Sequence, residues 1–272
     1  LGAISYQWYR DGVAIAGATA NTYTLDDADV GTTITVMASY TDGYGTNESV
    51  TSAGVGPIAN VNDAPVGVPT ITGTVEEDQL LTADTSGISD ADGLGAFSYQ
   101  WLRDGVAIGG ATASTYTLGD ADVGAQISVQ VSYTDLQGNP EGPLTSAQTA
   151  AVLNVNDAPV GAPTITGTVT EDQLLTADTS GISDADGLGA FSYQWYRDGV
   201  AIGGAMSSTY TLDNADVGTQ ISVQVSYTDL QGTSESITSA QTGAVANVND
   251  LPVGLPSISG LAQEDQVLTA DT

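Results

Sequence analysis

In 272 residues the chain carries 33 Asp+Glu against three Lys+Arg, with no His and no Cys, for a formal net charge of −30 at pH 7. That balance excludes a basic nucleic-acid footprint and attraction to an anionic membrane surface; the missing thiols and imidazoles exclude disulfides, thiol catalysis and the ligands that zinc and copper prefer. A hydrophobic fraction of 41%, with regularly placed Val, Ile, Tyr and Trp, points to folded domains rather than an acidic disordered tail.

The sequence repeats. SYQW begins at Ser5, Ser98 and Ser192, and NVND at Asn60, Asn154 and Asn247, at intervals of 93 or 94 residues. Solenoid repeats run to about 20–50 residues, so this longer period suits a domain of about 100 residues with its own core. The one-residue drift falls in the middle copy, between Gly138 and Leu144. The period predicts an incomplete module in residues 1–62 that starts at its third strand, complete modules in 63–156 and 157–249, and the first two strands of another in 250–272. It also predicts that residues 252–272 pair as strands with residues equivalent to 1–62 of a neighbouring copy, either between chains or along a continuous longer protein.

In the middle copy, strands are predicted at 69–75, 79–84, 97–102, 106–109, 115–118, 127–134 and 144–153. Phe97, Tyr99 and Trp101 alternate with Ser98, Gln100 and Leu102, and Ile127, Val129, Val131 and Tyr133 alternate with polar residues. This is the period of two of a strand with one buried face. Trp101 is therefore expected in the core, and Gln100 on the outer face, where truncation to alanine should be nearly neutral. Asp104-Gly105 reads as a tight hairpin turn. Seven short strands with turns every 8–12 residues, and no helical periodicity, predict an all-β, two-sheet sandwich.

The order YQWLRDG, TYTLGDADVG, ISVQVSY resembles the immunoglobulin-type series, with a core Trp at Trp8, Trp101 and Trp195. Its D-x-G corner falls at Asp29-Val30-Gly31, Asp122-Val123-Gly124 and Asp216-Val217-Gly218. The disulfide cysteines are absent, and Ile replaces the usual corner tyrosine. Arg10, Arg103 and Arg197 are the only cations and are expected to pair with Asp29, Asp122 and Asp216. NVNDAPVG, EDQLLTAD and SDADG are similar to cadherin-like repeats of giant bacterial surface adhesins of the repeats-in-toxin type, across essentially the whole chain. The implied architecture is tandem Ig-like/cadherin-like β-sandwich modules of about 94 residues in an elongated rod.

The acidic residues are the candidate chemistry. Asp90 and Asp92, followed by Gly93, have the D-x-D spacing that offers oxygen ligands to Ca²⁺; the alternative is a solvated acidic turn. Glu77 and Asp78 open the second strand and Asp63 lies in the preceding linker, and a sandwich is expected to gather all of these at one pole. The second set is Asp157, Glu171, Asp172, Asp184 and Asp186, and the third keeps Asp250, Glu264 and Asp265 but lacks its D-x-D. The cadherin resemblance adds the linker residues Asn60, Asn62, Asn154 and Asn156 as ligands, with Ala64 standing where that linker has a final Asn. Paired carboxylates recurring in every module, without a basic neighbour, argue for a spacer and against a glycosidase. The resemblance implies extender repeats of a secreted or cell-surface bacterial adhesin, stiffened by Ca²⁺ at the junctions. The expected partners are neighbouring modules of the same or identical chains, with any glycan or protein ligand elsewhere in the parent protein, no nucleic acid and no direct membrane insertion. Two alternatives remain: a self-assembling extracellular fibre completed head-to-tail by strand exchange, and a glycan- or protein-binding module using the variable loops Gly43–Glu48, Gln137–Pro143 and Gln231–Glu235.

Overall fold

A computed structural model of the chain describes residues 2–271. Regular structure among these is β-strand apart from three single turns of 3-10 helix, at Asp27–Asp29, Asp120–Asp122 and Asn214–Asp216. The chain divides into two compact units, Leu1–Val155 and Asn156–Thr272.

In the first unit, β1 (Ser5–Arg10), β2 (Val13–Ala14), β3 (Ile34–Thr41) and β4 (Asn47–Thr51) form one antiparallel sheet in the order β2-β1-β3-β4. Seven strands follow: β5 (Thr70–Thr72), β6 (Leu80–Asp84), β7 (Ser98–Arg103), β8 (Val106–Ala107), β9 (Thr115–Thr117), β10 (Ile127–Thr134) and β11 (Pro140–Thr145). They make two sheets, β5-β6-β9 and β11-β10-β7-β8. Between these sheets lie Leu81, Trp101, Ile127, Val129 and Val131, all at 0% exposure. The strand parity read from the sequence therefore holds for the inner face. Trp101 stacks on Tyr116 with ring centroids 5.8 Å apart, and its indole N–H donates to the Ala113 carbonyl at 2.9 Å, so its one polar atom is satisfied inside an apolar core.

The second unit repeats the pattern with β12 (Thr164–Thr166), β13 (Leu174–Asp178), β14 (Ser192–Arg197), β15 (Val200–Ala201), β16 (Thr209–Thr211), β17 (Ile221–Thr228) and β18 (Ser234–Thr238). Its sheets are β12-β13-β16 and β15-β14-β17-β18, around Leu175, Trp195, Ile221 and Val223. A separate hairpin, β19 (Ser257–Gly260) with β20 (Leu268–Asp271), ends the described chain.

Two expectations about strands change. The strand predicted at 144–153 runs instead over 140–145, while residues 151–153 make only isolated bridges. Its sequence, PEGPLT, hides it, because proline is tolerated only at edges and bulges, and β11 is an edge strand. The one-residue drift of the middle copy is a β-bulge: Val131 pairs with Leu144 but Tyr133 with Glu141. The corresponding β17–β18 ladder runs without a shift, Val225 to Ile237 and Tyr227 to Glu235. An extra residue in an edge strand is absorbed in this way at little cost to the fold.

Candidate metal centre

Two of the 3-10 turns carry two acids with different surroundings, and the third carries Asn214 in place of the outer one. The inner one is held by the core. Asp29, 0% exposed, accepts from Arg10 Nε at 2.8 Å, Tyr23 Oη at 2.9 Å and the Asp26 N–H at 2.9 Å. Asp122 is bound likewise by Arg103, Tyr116 and the Gly119 N–H, and Asp216 by Arg197, Tyr210 and the Asp213 N–H. The expected Arg–Asp pair is thus present at all three corners. The tyrosine missing from the corner position is replaced by one from the neighbouring strand segment, whose hydroxyl reaches the same carboxylate. Burial alone would raise the Asp216 carboxyl, but Arg197, the Asp213 N–H and Tyr210 hold it below the usual range. Desolvation, then the bond to Asp216, pushes Tyr210 up to about 12. The outer acid of the turn, Asp27 or Asp120, is exposed.

In the first unit the linker docks against the loop after β6. The Asp63 N–H donates to Asp92 Oδ2 at 2.8 Å, and Asn62 Nδ2 donates to Glu141 Oε1 at 2.8 Å. The loop is itself tied: Asp90 Oδ1 accepts the Asp92 N–H at 2.9 Å, and Asp90 Oδ2 accepts the hydroxyl of Tyr133. Gly93 sits at φ 86°, where a Cβ would fall 2.7 Å from the Leu136 side chain, so glycine is needed for both backbone and space. The carboxyl of Asp63 is raised, first by the charge of Asp27, then by burial and by Asp92 and Asp90, and it shares a hydrogen bond with Asp27. Asn60, Asp27 and Asp63 line a cleft of ≈ 240 Å³ floored by Val30 and Ile58. Carboxylates from the preceding turn, the linker and the following loop thus meet within one unit.

The expectation that Glu77 and Asp78 join Asp90 and Asp92 at one pole is corrected. Glu77 precedes the five-residue strand β6 and Asp90 follows it; at about 3.3 Å per residue, a strand carries its two ends to opposite poles of a sandwich. Glu77 is 1% exposed; its N–H donates to Leu153 O at 2.9 Å and its Oε2 accepts the Val155 N–H at 3.1 Å. A Glu77 carboxylate oxygen lies within 4.8 Å of one of Asp120. Glu77 therefore faces the linker that leaves its sandwich, while Asp90 and Asp92 face the linker that enters it. Asp78 is exposed at φ 62°, with its N–H on Leu118 O, a left-handed position that Asp tolerates better than most residues.

The second unit shows the same placements. Glu171 Oε2 accepts the Val248 N–H at 2.9 Å, Asp186 Oδ2 accepts the Asp157 N–H at 2.8 Å, and Asn156 donates to Glu235 at 2.9 Å. Tyr227 bonds Asp184, and Asp172 repeats the left-handed turn. Back in the first unit, Asn154 Oδ1 is buried without a donor among the described residues. Asp250 and Glu264 are exposed. Sequence reasoning missed Asp27, Asp120, Tyr133, Tyr227, Glu141 and Glu235. A signal existed: Glu48, Glu141 and Glu235 keep one place in the period although the loops before them vary.

Sheets, cores and corners together define the class, an array of Ig-like β-sandwich repeats. No family model matches the chain. It is 27% identical over 257 residues to the highly immunogenic outer capsid protein of Enterobacteria phage T4, an alignment covering 90% of this chain and 65% of that protein. Solved structures with likeness include domains A168–A170 of titin, at TM-score 0.27 and 14% identity, covering 88% of each chain. A Ca²⁺-stabilized adhesin of an Antarctic bacterium gives TM-score 0.32 and 12% identity over 97% of this chain and 69% of that one. Domains FN1–FN3 of chicken CNTN1 give 0.27 and 12% over 100% and 90%. No helix among the described residues is long and apolar enough to cross a membrane.

Proposed function

We propose that the chain is a run of structural extender repeats on the outside of a cell or particle, with junctions that bind Ca²⁺. The observation that carries this reading is the meeting of Asp27, Asp63, Asp90 and Asp92 at the first junction, where the carboxyl of Asp63 is raised by the charge of Asp27, by burial and by Asp92 and Asp90. Crowded carboxylates repel, and a hard divalent ion bound by oxygen ligands relieves that repulsion. Residues 66–157 hold twelve acids and one Arg, so the need for counter-charge is general to the repeat.

The donor set fits the ion. Carboxylate and amide oxygens are the ligands Ca²⁺ takes in irregular, high-coordination sites, whereas Mg²⁺ demands a tighter octahedron. Asp27, Asp63 and Asp92 would hold it, with Asn60 at the cleft wall. Asp90 and Tyr133 fix the loop, because both Asp90 oxygens already accept hydrogen bonds. Bound there, the ion ties the turn of one sandwich to the loop of the next through the linker and stiffens the junction. The likeness to a phage outer capsid protein supports a surface-exposed structural role and favours, as a second reading, display on a particle rather than on a cell.

Calcium titration by calorimetry tests the proposal. Binding that is weakened at least tenfold in Asp63→Asn supports it; absence of binding at millimolar calcium sinks it.

A further inference from the structure

We infer that the outer edge of β18 accepts an extended, lysine-bearing segment of a partner protein as an added strand. In an antiparallel ladder the backbone groups of successive residues face alternate sides. Thr233 and Ser239 bond β17 through their main chains, at Asp229 and Val223, and the register between them runs without a shift. Glu235 and Ile237 therefore also turn to β17, while the N–H and C=O groups of Ser234, Ser236 and Thr238 point away from the sheet. β18 ends its sheet, with no second strand beside it among the described residues. Such a row of donors and acceptors is a template for strand addition. The middle sandwich closes the same edge. There Pro140 stands at the place of Ser234, and Gly142-Pro143 at the place of Ser236, beside the bulge between Val131 and Tyr133. Proline has no N–H to offer an incoming strand, and β18 carries neither device.

The occupant follows from charge. The chain carries a formal −30, and its three arginines are all bonded to corner aspartates. Copies of the chain therefore repel one another, while a cationic segment is drawn in. Beside the edge lies a cleft of ≈ 390 Å³ whose lining includes Ser192, Ser226, Thr228, Ser234, Glu235 and Ser236. The Ser192 hydroxyl donates to the Ser226 carbonyl at 3.0 Å, which leaves its oxygen able to accept. Glu235 Oε1 accepts the Asn156 amide, and the carboxylate brings negative charge to the cleft. A strand sends alternate side chains to one face, so every second residue of the added strand lies on the cleft side. Hydroxyl oxygens and a carboxylate are the acceptors that a lysine ammonium, with three donors and no acceptor, requires.

Amide hydrogen exchange of the intact chain, with and without a terminally blocked peptide of alternating lysine and valine, tests this. The peptide should slow exchange at Ser234, Ser236 and Thr238 by about tenfold or more and leave residues 140–145 unchanged. A twin peptide of equal charge, with proline in place of its valines, should protect neither edge; this separates strand addition from general attraction of a basic peptide to an acidic chain. Ser236→Pro removes only an outward N–H, so it should keep the melting temperature and lose the protection. If that variant unfolds, the twin peptide and the proline-closed middle edge decide. Equal protection by the twin, equal protection of both edges, or none at all overturns the inference. So does protection that grows with the concentration of the chain and needs no peptide, which would make a second copy the occupant.

Discussion

The Gln100 side chain leaves the outer face of β7 and turns along the strand, so that its amide donates to the Trp101 and Ile108 carbonyls at 2.8 Å each. Gln7 and Gln194 do the same in the other sheets. At about 1 kcal/mol net per hydrogen bond, Gln100→Ala should cost about 1–2 kcal/mol rather than being neutral, as its strand parity alone implies. Trp101→Ala should cost about 3–5 kcal/mol through the cavity it leaves. Urea unfolding of the two variants beside the parent checks both numbers, and equal costs would contradict the assignment of faces. At the corner, Arg197→Met strands Asp216, whose side chain is 0% exposed, and loses a charge-assisted bond worth about 1.5–3 kcal/mol. Asp216 titrates below its unfolded value, so its contribution is fully present above about pH 4 and is lost as pH falls through the depressed folded value. The acid side of the stability profile should therefore flatten in Arg197→Met.

At the scale of elements, the hairpin loops after β10 and β17 differ in one side-chain bond. Asp135 Oδ2 accepts from Asn139 Nδ2 at 2.9 Å, but Thr233 stands at the equivalent place in the second unit, and Asp229 Oδ2 is buried without a donor among the described residues. Thr233→Asn should restore the bond and stabilise the second unit by about 1 kcal/mol, read as a raised urea midpoint at unchanged slope; a lowered midpoint would show that the loop cannot accept the amide. Much of this level was legible beforehand. Alternation from Ile127 to Tyr133 placed β10, the Asp104-Gly105 pair placed the turn between β7 and β8, and the buried Trp followed from parity. What stayed hidden depends on contacts far apart in sequence. Proline and glycine masked β11, and nothing local shows that Gln100 folds back on its own strand. Asp29 and Asp27 share one turn, yet only the packing of Arg10 and Tyr23 decides that the first faces the core and the second the linker. The candidate site was read as the right kinds of residue, but Glu77 was grouped with the wrong pole, because sequence spacing does not say which end of a strand a side chain serves.

For the whole molecule, a formal charge of −30 makes the response to cations the property to measure. The raised Asp63 carboxyl sets the sign of the pH effect. A carboxyl that is harder to ionise when folded weakens the metal-free junction as pH rises through its folded value, so mild acidification should stabilise the apo chain. Calcium needs that carboxylate ionised, and its affinity should fall over the same pH window, which titrations at two pH values would show. The most direct measurement is the thermal unfolding of the intact chain in EDTA, in calcium and in magnesium, compared with Asp27→Asn and Asp63→Asn. At a calcium concentration about 100-fold above Kd, one site contributes about 2.7 kcal/mol, so the melting temperature should rise clearly in calcium, little in magnesium, and much less in either variant. An unfolding curve for the parent chain that is the same in EDTA and in calcium would contradict the account.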